Sequence, residues 1–469
     1  MNSRIRILQS IANRGRLVGR QGIHFGRKCR FNSSVSANAP IKPAAENKSL
    51  GEVLASAIRA TGPISLAAYM RQCLTNPEAG YYINKDPFGA GGDFITSPEI
   101  SQMFGELIGI WFITQWLALD KPEKVMLVEL GPGRGTLMAD MLRTFQSFEP
   151  FMHSVAGVCM VEASPTLRDM QHKLLCSEDI EKTETGYKSV TRAGIPIQWF
   201  ENLKDVPRAF QLTPFFVAHE FFDALPVHQF EHTQDGWREL LVDYSIPKVN
   251  TTISLPSQTS SLNETPKFHL TVPTHATPGS QIMPNSSPRY SKLPVKSKIE
   301  ISPVSWEFAL DIANRICERD QQGKQIGVGA ALIIDYGPAD TIPVDSLRAI
   351  KKHHIVSPFD EPGSADLSVD VDFTALKHVA EKDARIDVHG PVEQGDWLHA
   401  LGIGARATVL ANSQKDDIAK NRVAQAYHRL VERSGGAMGK IYKVMAFTPP
   451  QSPTPVGFGG SVAGEDADE

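Results

Sequence analysis

The feature that most constrains the fold of this chain is the stretch VELGPGRG at residues 128–135. A short apolar run ends in Glu129 and is followed by Gly131, Gly133 and Gly135. Glycines between a strand and a helix let backbone N–H groups and a helix N-terminus approach a ligand without a Cβ clash. The stretch therefore predicts an open α/β sheet with a nucleotide-like ligand beside its first strand.

The spacing of the glycines narrows the choice of ligand. A dinucleotide fingerprint has the form GxGxxG, whereas this loop reads GxGxG and continues with Thr136. The Gly-Lys-Ser/Thr ending of a phosphate-binding P-loop is missing as well. A carboxylate at Glu129 repels phosphate and attracts a cation, such as the α-ammonium group of S-adenosylmethionine. This favours a methyl donor, with an NAD-dependent oxidoreductase as the weaker alternative.

A second acid lies at the end of the next predicted strand, AGVCMVEAS. Glu162 is placed where an acid can accept both ribose hydroxyls of a nucleotide. An acid and three glycines after one strand, with an acid after the next, resemble the class I S-adenosylmethionine-dependent methyltransferases. The predicted cofactor-binding residues of these two loops are Glu129, Gly131, Pro132, Gly133, Gly135, Glu162 and Ala163.

Predicted strands and helices alternate from residue 124 to 240, which indicates a doubly wound, Rossmann-like parallel sheet. We assign this methyltransferase domain to residues 123–448. Residues 246–303 are rich in Ser and Pro and are expected to form a largely flexible substrate-side insertion around one short strand, FHLTV. The tail, 449–469, is expected to be disordered and acidic.

Residues 37–122 are expected to form a helical N-terminal region with a loop that covers the cofactor. Its last helix is strongly apolar, but Glu106 and Gln115 interrupt it, so a core helix is favoured over a membrane span. The preceding loop, GAGGDFITSPEI, contains the further cofactor-binding candidates Asp93, Thr96 and Ser97, and the aromatic residues expected to close the pocket are Tyr81, Tyr82 and Phe94. Capping of the next helix is an equally good reading for Ser97.

The first 36 residues have the composition of a mitochondrial transit peptide. Eight basic residues, no acid and apolar residues at helical spacing occur within residues 1–34. A basic tail that binds nucleic acid or anionic lipid is the alternative. The whole chain has a formal charge of −4, and without these eight residues it is at −12, so the body of the protein is a poor nucleic-acid binder and suits a basic substrate. The five cysteines form no CxxC pair, which argues against a zinc site or a disulfide framework.

A second constellation, HEFFDALPVHQFE at residues 219–231, follows the fourth predicted strand. The carboxyl ends of the strands in an open sheet are where a ligand binds. His219, Glu220, Asp223 and His228 are therefore the predicted catalytic residues. Capping of a following helix remains an alternative role for the two acids.

Several motifs in fixed order give a more specific resemblance: GDFITSPEISQMFGELIG, VELGPGRGTLMADMLR, HEFFDALPVHQF, EPGSADLSVDVDF and MGKIYKVMAF. Together they resemble the MidA family, which comprises mitochondrial protein arginine methyltransferases of the complex I assembly factor 7 type and bacterial relatives. The resemblance spans roughly residues 50 to 448. It implies symmetric dimethylation of an arginine in iron–sulfur subunit 2 of respiratory complex I, in the mitochondrial matrix. A non-catalytic assembly chaperone that keeps the fold is the alternative function.

Methylation of an arginine requires carboxylates that can bind and orient its guanidinium group. A guanidinium stays charged in water, and carboxylates that grip it bidentately can orient one nitrogen for methyl transfer. Other arginine methyltransferases carry two glutamates nine residues apart after the fourth strand. Glu220 matches the first, but Gln229 stands at the second position. We therefore expect Asp223 or Glu231 to supply the second carboxylate, with His219 and His228 as proton acceptors.

Overall fold

The computed structural model describes residues 48–84, 95–208, 212–246, 266–319 and 322–459. The predicted transit peptide, Asp93, Phe94 and the end of the tail lie outside these ranges. Within the described ranges, none of the helices is long and apolar enough to span a membrane.

Eighteen strands are described, and they are numbered in chain order: β1 (Ile64–Ser65), β2 (Val125–Leu130), β3 (Val155–Val161), β4 (Glu181–Lys182), β5 (Gly186–Val190), β6 (Pro196–Phe200), β7 (Thr213–His219), β8 (His228–Thr233), β9 (Gly236–Glu239), β10 (Leu241–Ser245), β11 (Lys267–Thr271), β12 (Lys298–Ile301), β13 (Ala330–Tyr336), β14 (Arg348–Lys351), β15 (His354–Val356), β16 (Asp366–Ser368), β17 (Asp387–Glu393) and β18 (Tyr442–Thr448).

The α-helices of the described residues are α1 (Leu50–Thr61), α2 (Leu66–Thr75), α3 (Tyr81–Asn84), α4 (Ser97–Ile100), α5 (Gln102–Ala118), α6 (Thr136–Gln146), α7 (Glu149–Ser154), α8 (Pro165–Leu175), α9 (Pro278–Ile282), α10 (Pro288–Ser291), α11 (Pro303–Ile316), α12 (Phe373–Val379), α13 (Gln394–Ala400), α14 (Ile403–Asn412), α15 (Asp417–Val431) and α16 (Met438–Ile441).

The central sheet has the order β17-β18-β13-β7-β2-β3-β6-β5-β4. The five strands β13, β7, β2, β3 and β6 are parallel, and β18 runs antiparallel between β13 and β17. The chain begins in the middle at β2, winds outward through β3 and β6, and returns to the other side of β2 at β7. The crevice between the carboxyl ends of β2 and β7 is therefore the topological switch point, where open α/β sheets bind ligands. This is the doubly wound methyltransferase sheet that the sequence predicts.

Both faces of the sheet are buried, which explains why its strands are nearly continuous apolar runs. In β13, Leu332 and Ile334 pack on one face with α5 and α6, while Ala331 and Ile333 pack on the other face with α11 and α12. The layers are thus helix, sheet and helix. A separate apolar cluster joins α1 and α2 to the small sheets formed by β1, β10 and β11 and by β14, β15 and β16.

The helix α5 lies unusually close to α6 because two glycines face it. A Cβ on Gly105 would lie 2.5 Å from Asp140 Cβ, and one on Gly109 would lie 3.2 Å from Thr144 Cβ. The polar interruption that the sequence shows in this helix is also explained. Glu106 is buried and pairs with Arg406 at 2.7 Å and with Arg143 at 3.2 Å. Burial acts to raise its pKa, but the two guanidiniums outweigh burial and leave the pKa below its ordinary value.

Three details differ from the sequence-based expectations. The N-cap at α4 is Thr96 rather than Ser97, and the chain breaks again at Ser101 before α5. The insertion is not largely flexible in residues 266–303, which form β11, α9, α10 and β12, while residues 247–265 lie outside the described ranges. The tail is not disordered in residues 449–459, since Trp111 Nε1 donates to the carbonyl of Val456 at 3.2 Å. The predicted strand FHLTV is confirmed as part of β11.

Candidate active site

The glycine loop closes the carboxyl end of β2 as the sequence predicts. Gly131, Gly133 and Gly135 all have positive φ angles, between 52° and 86°. Gly131 also needs its missing side chain, because a Cβ there would lie 3.0 Å from the Phe221 ring. Any larger residue at this position would meet both backbone strain and a clash.

A narrow cleft beside this loop is lined by five of the ten predicted cofactor-binding residues, namely Thr96, Glu129, Gly131, Pro132 and Gly133. Its lining comprises Thr96, Pro98, Glu99, Glu129, Gly131, Pro132, Gly133, Arg134, Thr136, Leu137, His219 and Glu220. Glu129 is 2% exposed, and its Oε2 atom is buried without a hydrogen-bond partner in the structure. Burial, and then the charge of Glu162, raise the pKa of Glu129 well above its ordinary value. An isolated buried carboxylate is costly, so this atom fits the ammonium group of S-adenosylmethionine.

Glu162 lies at the end of β3 and is held in place by its own loop. One carboxylate oxygen accepts the backbone N–H of Ser164 at 2.8 Å, and the backbone N–H of Ala163 also bonds this carboxylate. Burial raises its pKa to about 7. Each carboxylate oxygen has two lone pairs, so acceptor capacity remains for the ribose hydroxyls.

A residue that the sequence did not single out, Gln171 on α8, connects these two loops. Its Nε2 donates to the Gly133 carbonyl at 2.7 Å and to Glu162 at 3.1 Å, and its Oε1 accepts from Trp199 Nε1 at 2.9 Å. Gln171 is fully buried and packs directly beneath Gly135. Only the three-dimensional fold brings a mid-helix glutamine into contact with both loops.

We expect Gln171→Leu to weaken S-adenosylmethionine binding about 10-fold, because the Gly133 carbonyl and Glu162 lose a buried donor worth roughly 1–3 kcal/mol. Isothermal titration calorimetry measures the affinity, and thermal unfolding checks that the variant folds. Gln72→Leu, at a partly exposed position of α2, is the matched control. An unchanged affinity in a folded Gln171→Leu protein would contradict the connecting role.

The second constellation begins at a strained residue. Glu220 directly follows β7 and has a φ of 50°, a left-handed conformation that residues with a side chain rarely adopt. Its carboxylate accepts the backbone N–H of Ser97 and the Tyr442 hydroxyl, while Oε1 is buried and has no hydrogen-bond partner within the described ranges. Burial, and then the charge of Asp223, raise the pKa of Glu220 to about 8. Backbone strain of this kind is retained mainly at functional sites.

Asp223 lies three residues further on and faces the same space. The Tyr336 hydroxyl donates to one of its oxygens, and the other, Oδ1, is buried without a hydrogen-bond partner in the part of the chain that the structure describes. Asp335, at the end of β13, fixes this turn by accepting the backbone N–H groups of Phe222 at 2.9 Å and Asp223 at 3.2 Å. Burial raises the pKa of Asp223 above its ordinary value.

The two acids open onto a cavity of about 660 Å³. Its lining residues are Tyr82, Ile95, Ile100, Glu220, Asp223, Tyr336, Arg348, Ile350, His353, Asp366, Asp370, Arg429, Gly436, Ala437, Met438, Ile441 and Tyr442. Glu220 belongs to both this substrate-side cavity and the cofactor cleft. The alternation in ADLSVDVD explains how two more acids reach the cavity, because Asp366 and Asp370 face it while Leu367 and Val369 are buried in the apolar cluster.

Three of these carboxylates each accept a hydrogen bond from a tyrosine. Tyr442 donates to Glu220, Tyr336 to Asp223, and Tyr82 to Asp366 at 2.6 Å. Tyr336 and Tyr442 are paired residues of the adjacent strands β13 and β18. Of these three tyrosines, only Tyr82 was predicted from the sequence. Tyr336 lies in the stretch IDYG at residues 334–337, and its pairing with Tyr442 of the final strand could have indicated both.

Other predicted residues lie elsewhere. His228 starts β8 in the separate sheet β12-β8-β9, and its Nδ1 is 2.7 Å from Glu239. Gln229 donates to Glu300 at 2.7 Å in the same region. The turn before β8 directs this strand away from the central sheet, so neither His228 nor Glu231 lines either cavity within the described residues.

His219 and Ser97 lie at the site in roles other than those predicted. His219 Nε2 is 3.3 Å from Glu220 Oε1 but makes no hydrogen bond, and burial lowers the His219 pKa to about 3, so the ring is neutral at physiological pH. The Ser97 hydroxyl donates to Met438 Sδ rather than into the cofactor cleft, and its backbone N–H supports Glu220. Tyr81 is buried and contacts the ring of Tyr82.

The sheet order, the glycine loop and the two strand-end acids define a class I methyltransferase. Comparison with known proteins identifies the family. Residues 107–392 match the family model described as "Putative S-adenosyl-L-methionine-dependent methyltransferase", and the chain belongs to this family. S-adenosyl-L-methionine is therefore its cofactor.

Curated relatives and a solved structure resemble most of the chain. A zebrafish (Danio rerio) protein is 40% identical over 390 residues, which cover 82% of this chain and 84% of the relative. A human relative is 35% identical over 442 residues, with 92% and 90% covered. Both are named "Protein arginine methyltransferase NDUFAF7, mitochondrial". A crystal structure from Burkholderia thailandensis, bound to S-adenosyl-homocysteine, superposes with a TM-score of 0.64 at 22% identity, covers 88% of this chain and 93% of its own, and supports the fold.

Proposed function

We propose that this protein is a mitochondrial protein arginine methyltransferase that binds the target guanidinium between Glu220 and Asp223. One observation carries the proposal. Among the described residues, Glu220 Oε1 and Asp223 Oδ1 are buried carboxylate oxygens without hydrogen-bond partners, and both residues line the substrate-side cavity. Two unsatisfied acceptors in one cavity match the paired N–H donors of a guanidinium.

The surrounding residues keep these two oxygens available. Tyr442 and the Ser97 backbone bond the Glu220 carboxylate, and Tyr336 bonds the other oxygen of Asp223. The carboxylates are thus oriented before the substrate arrives, which lowers the entropic cost of aligning the reacting nitrogen. Because Glu220 also lines the cofactor cleft, a guanidinium held there lies at the junction of the two spaces.

Glu220 is also the better candidate for receiving the proton that methylation of a guanidinium releases. Burial and the nearby charge of Asp223 raise its pKa to about 8, which is close to working pH. His219, with a pKa of about 3, is a much weaker base. We therefore assign the proton to Glu220, and His219 to the apolar wall beside the Phe104 ring, 5.1 Å away between ring centres.

The cofactor, when bound, supplies a methyl group activated by its sulfonium. Glu129 would hold its ammonium group, Glu162 its ribose, and the backbone of the glycine loop would lie against it. Thr96 lines the same cleft and can donate to the cofactor carboxylate.

The names of the relatives support arginine as the target and the mitochondrion as the location. The MidA resemblance extends the proposal to symmetric dimethylation of an arginine in iron–sulfur subunit 2 of complex I, in the matrix. An acidic cavity suits a basic side chain of a protein substrate. The carboxylates at its buried end, Glu220, Asp223 and Asp366, disfavour the entry of a nucleic-acid phosphate.

Incubation with isotope-labelled S-adenosylmethionine and iron–sulfur subunit 2 tests the proposal, with mass spectrometry locating the label. We expect dimethylarginine. We expect Asp223→Asn to lower kcat/KM by roughly 10- to 100-fold, because a charge-assisted hydrogen bond worth about 1.5–3 kcal/mol is lost. Cofactor affinity should not change. Asp235→Asn, in the exposed β8–β9 turn, is the matched control. Label on lysine, or cofactor binding without any transfer, would contradict the proposal, and the latter result would favour the chaperone alternative.

A further inference from the structure

The mouth of the substrate-side cavity is chemically different from its buried end. The acids Glu220, Asp223 and Asp366 lie at the buried end, whereas exposed His353 and Arg429 lie at the mouth. Arg429 donates to the Gly436 carbonyl and has no ion-pair partner in the part of the chain that is described. The Arg429 guanidinium and the His353 imidazole are therefore both accessible to an approaching chain.

Four isoleucines extend this mouth as an apolar collar, in which Ile95, Ile355 and Ile441 are exposed and Ile350 is half-buried. Ile95 is 45% exposed, Ile441 is 52% exposed, and Ile355 is 78% exposed. Ile350 lines the cavity and is directly paired with Ile355 across the β14–β15 hairpin, so their side chains share one face. Contiguous exposed apolar residues beside a ligand cavity indicate an interaction surface rather than scattered surface residues.

The hairpin that carries half of this collar is strained at its tip. Lys352 and His353 form the two-residue turn between β14 and β15, with φ angles of 51° and 62°. Turns of this type favour asparagine and glycine, which adopt positive φ at little cost. Here the turn consists of lysine and histidine instead, and the histidine lines the cavity. Backbone strain beside a cavity is typical of a ligand-binding element.

We propose that the collar, the Arg429 cation and the His353 imidazole form a docking surface for a protein segment whose target arginine is flanked by branched apolar and acidic side chains. The arginine enters the acidic cavity, the apolar neighbours pack on the isoleucines, and the acidic neighbours face His353 and Arg429. This surface deepens the proposed function and rests on it for the identity of the inserted side chain. The partner is a protein segment, because the collar matches side-chain packing and the mouth matches carboxylates.

Three 13-residue fluorescent peptides with one central arginine test the surface. The first carries isoleucine and glutamate neighbours, the second replaces the isoleucines with serine, and the third replaces the glutamates with lysine. Anisotropy is measured with the full-length protein loaded with S-adenosyl-homocysteine. We expect the first peptide to bind about 10-fold more tightly than the second, and roughly 2- to 5-fold more tightly than the third, as exposed ion pairs contribute little.

Two variants assign these preferences to the surface. Ile355→Ser should weaken the binding of the first peptide several-fold and leave the affinity for the second peptide unchanged. Arg429→Glu should reverse the preference, so that the peptide with lysine neighbours binds more tightly than the peptide with glutamate neighbours. Ile418→Ser, 68% exposed at the start of α15, and Lys415→Glu are the matched controls and should change neither preference.

Equal binding of the three peptides, or variants with no effect on the preferences, would overturn the docking surface. Methyl transfer to the same peptides is measured in parallel to keep the two proposals apart. If all three peptides are methylated equally well, only the proposed docking surface is contradicted. If the peptides bind with the expected preferences but none is methylated, only the proposed arginine methylation is contradicted.

Discussion

We expect Glu220→Gln to lower kcat for arginine methylation by about 10²- to 10⁴-fold, because a glutamine can neither ionise to pair with the guanidinium nor receive its proton. Single-turnover transfer from labelled S-adenosylmethionine measures the effect. Glu231→Gln on β8 is a matched control and should transfer at the wild-type rate, since within the described residues Glu231 lines neither cavity. A Glu220→Gln rate within a few-fold of wild type would remove Glu220 from catalysis.

A stability measurement separates lost chemistry from lost folding in the same variant. The Glu220 pKa is raised from 4.5 to about 8 in the folded protein. The folded state therefore keeps a proton that the unfolded chain releases above pH 4.5, and the free energy of unfolding falls as pH rises from 4.5 to 8. Glu220→Gln lacks this penalty. We expect it to unfold like the wild type at pH 4.5, and to be more stable at pH 8 by roughly 1–4 kcal/mol. If Glu220→Gln were less stable than the wild type at pH 8, the raised pKa of Glu220 would be contradicted.

The second large effect is expected at the cofactor cleft. Glu129→Gln should weaken S-adenosylmethionine binding by roughly 10- to 100-fold, because the buried carboxylate that faces its ammonium group loses its charge, worth about 1.5–3 kcal/mol. Isothermal titration calorimetry measures the affinity. Glu201→Gln, an exposed acid directly after β6, is the control for an acid at a strand end. Because the lost affinity comes from the contact with the S-adenosylmethionine ammonium group, an analogue without that group should bind the wild type and Glu129→Gln with nearly equal affinity. If Glu129→Gln bound S-adenosylmethionine with wild-type affinity, the ammonium group would have to be bound by another residue.

The sheet and the cofactor loops were the predictable parts of this protein because their signals are local. Strand periodicity can be read over a few residues, and so can the glycine spacing after Glu129 and the acid Glu162 directly after the next strand. The placement of Glu220 and Asp223 at the ligand edge was predictable for the same reason, because they directly follow a parallel strand that ends there.

The rest of the site depends on contacts between distant parts of the chain. Gln171 supports the glycine loop across 38 residues, and Tyr336 reaches Asp223 across 113. No local pattern distinguishes these side chains from ordinary buried ones. His228 shows the opposite error: the residue lies close in sequence to Glu220, but the turn at residues 224–227 directs it into another sheet.

The position of Glu220 on the wall between the two cavities has a consequence for inhibitor design. A ligand for the cofactor cleft and a ligand for the substrate cavity would each meet one side of the same carboxylate. A single bisubstrate molecule, with an amino-acid and ribose part joined through a short linker to a guanidinium, would meet both sides at once. Joining the two parts converts the second contact into an intramolecular one, so such a compound gains affinity from the effective concentration of its own other half.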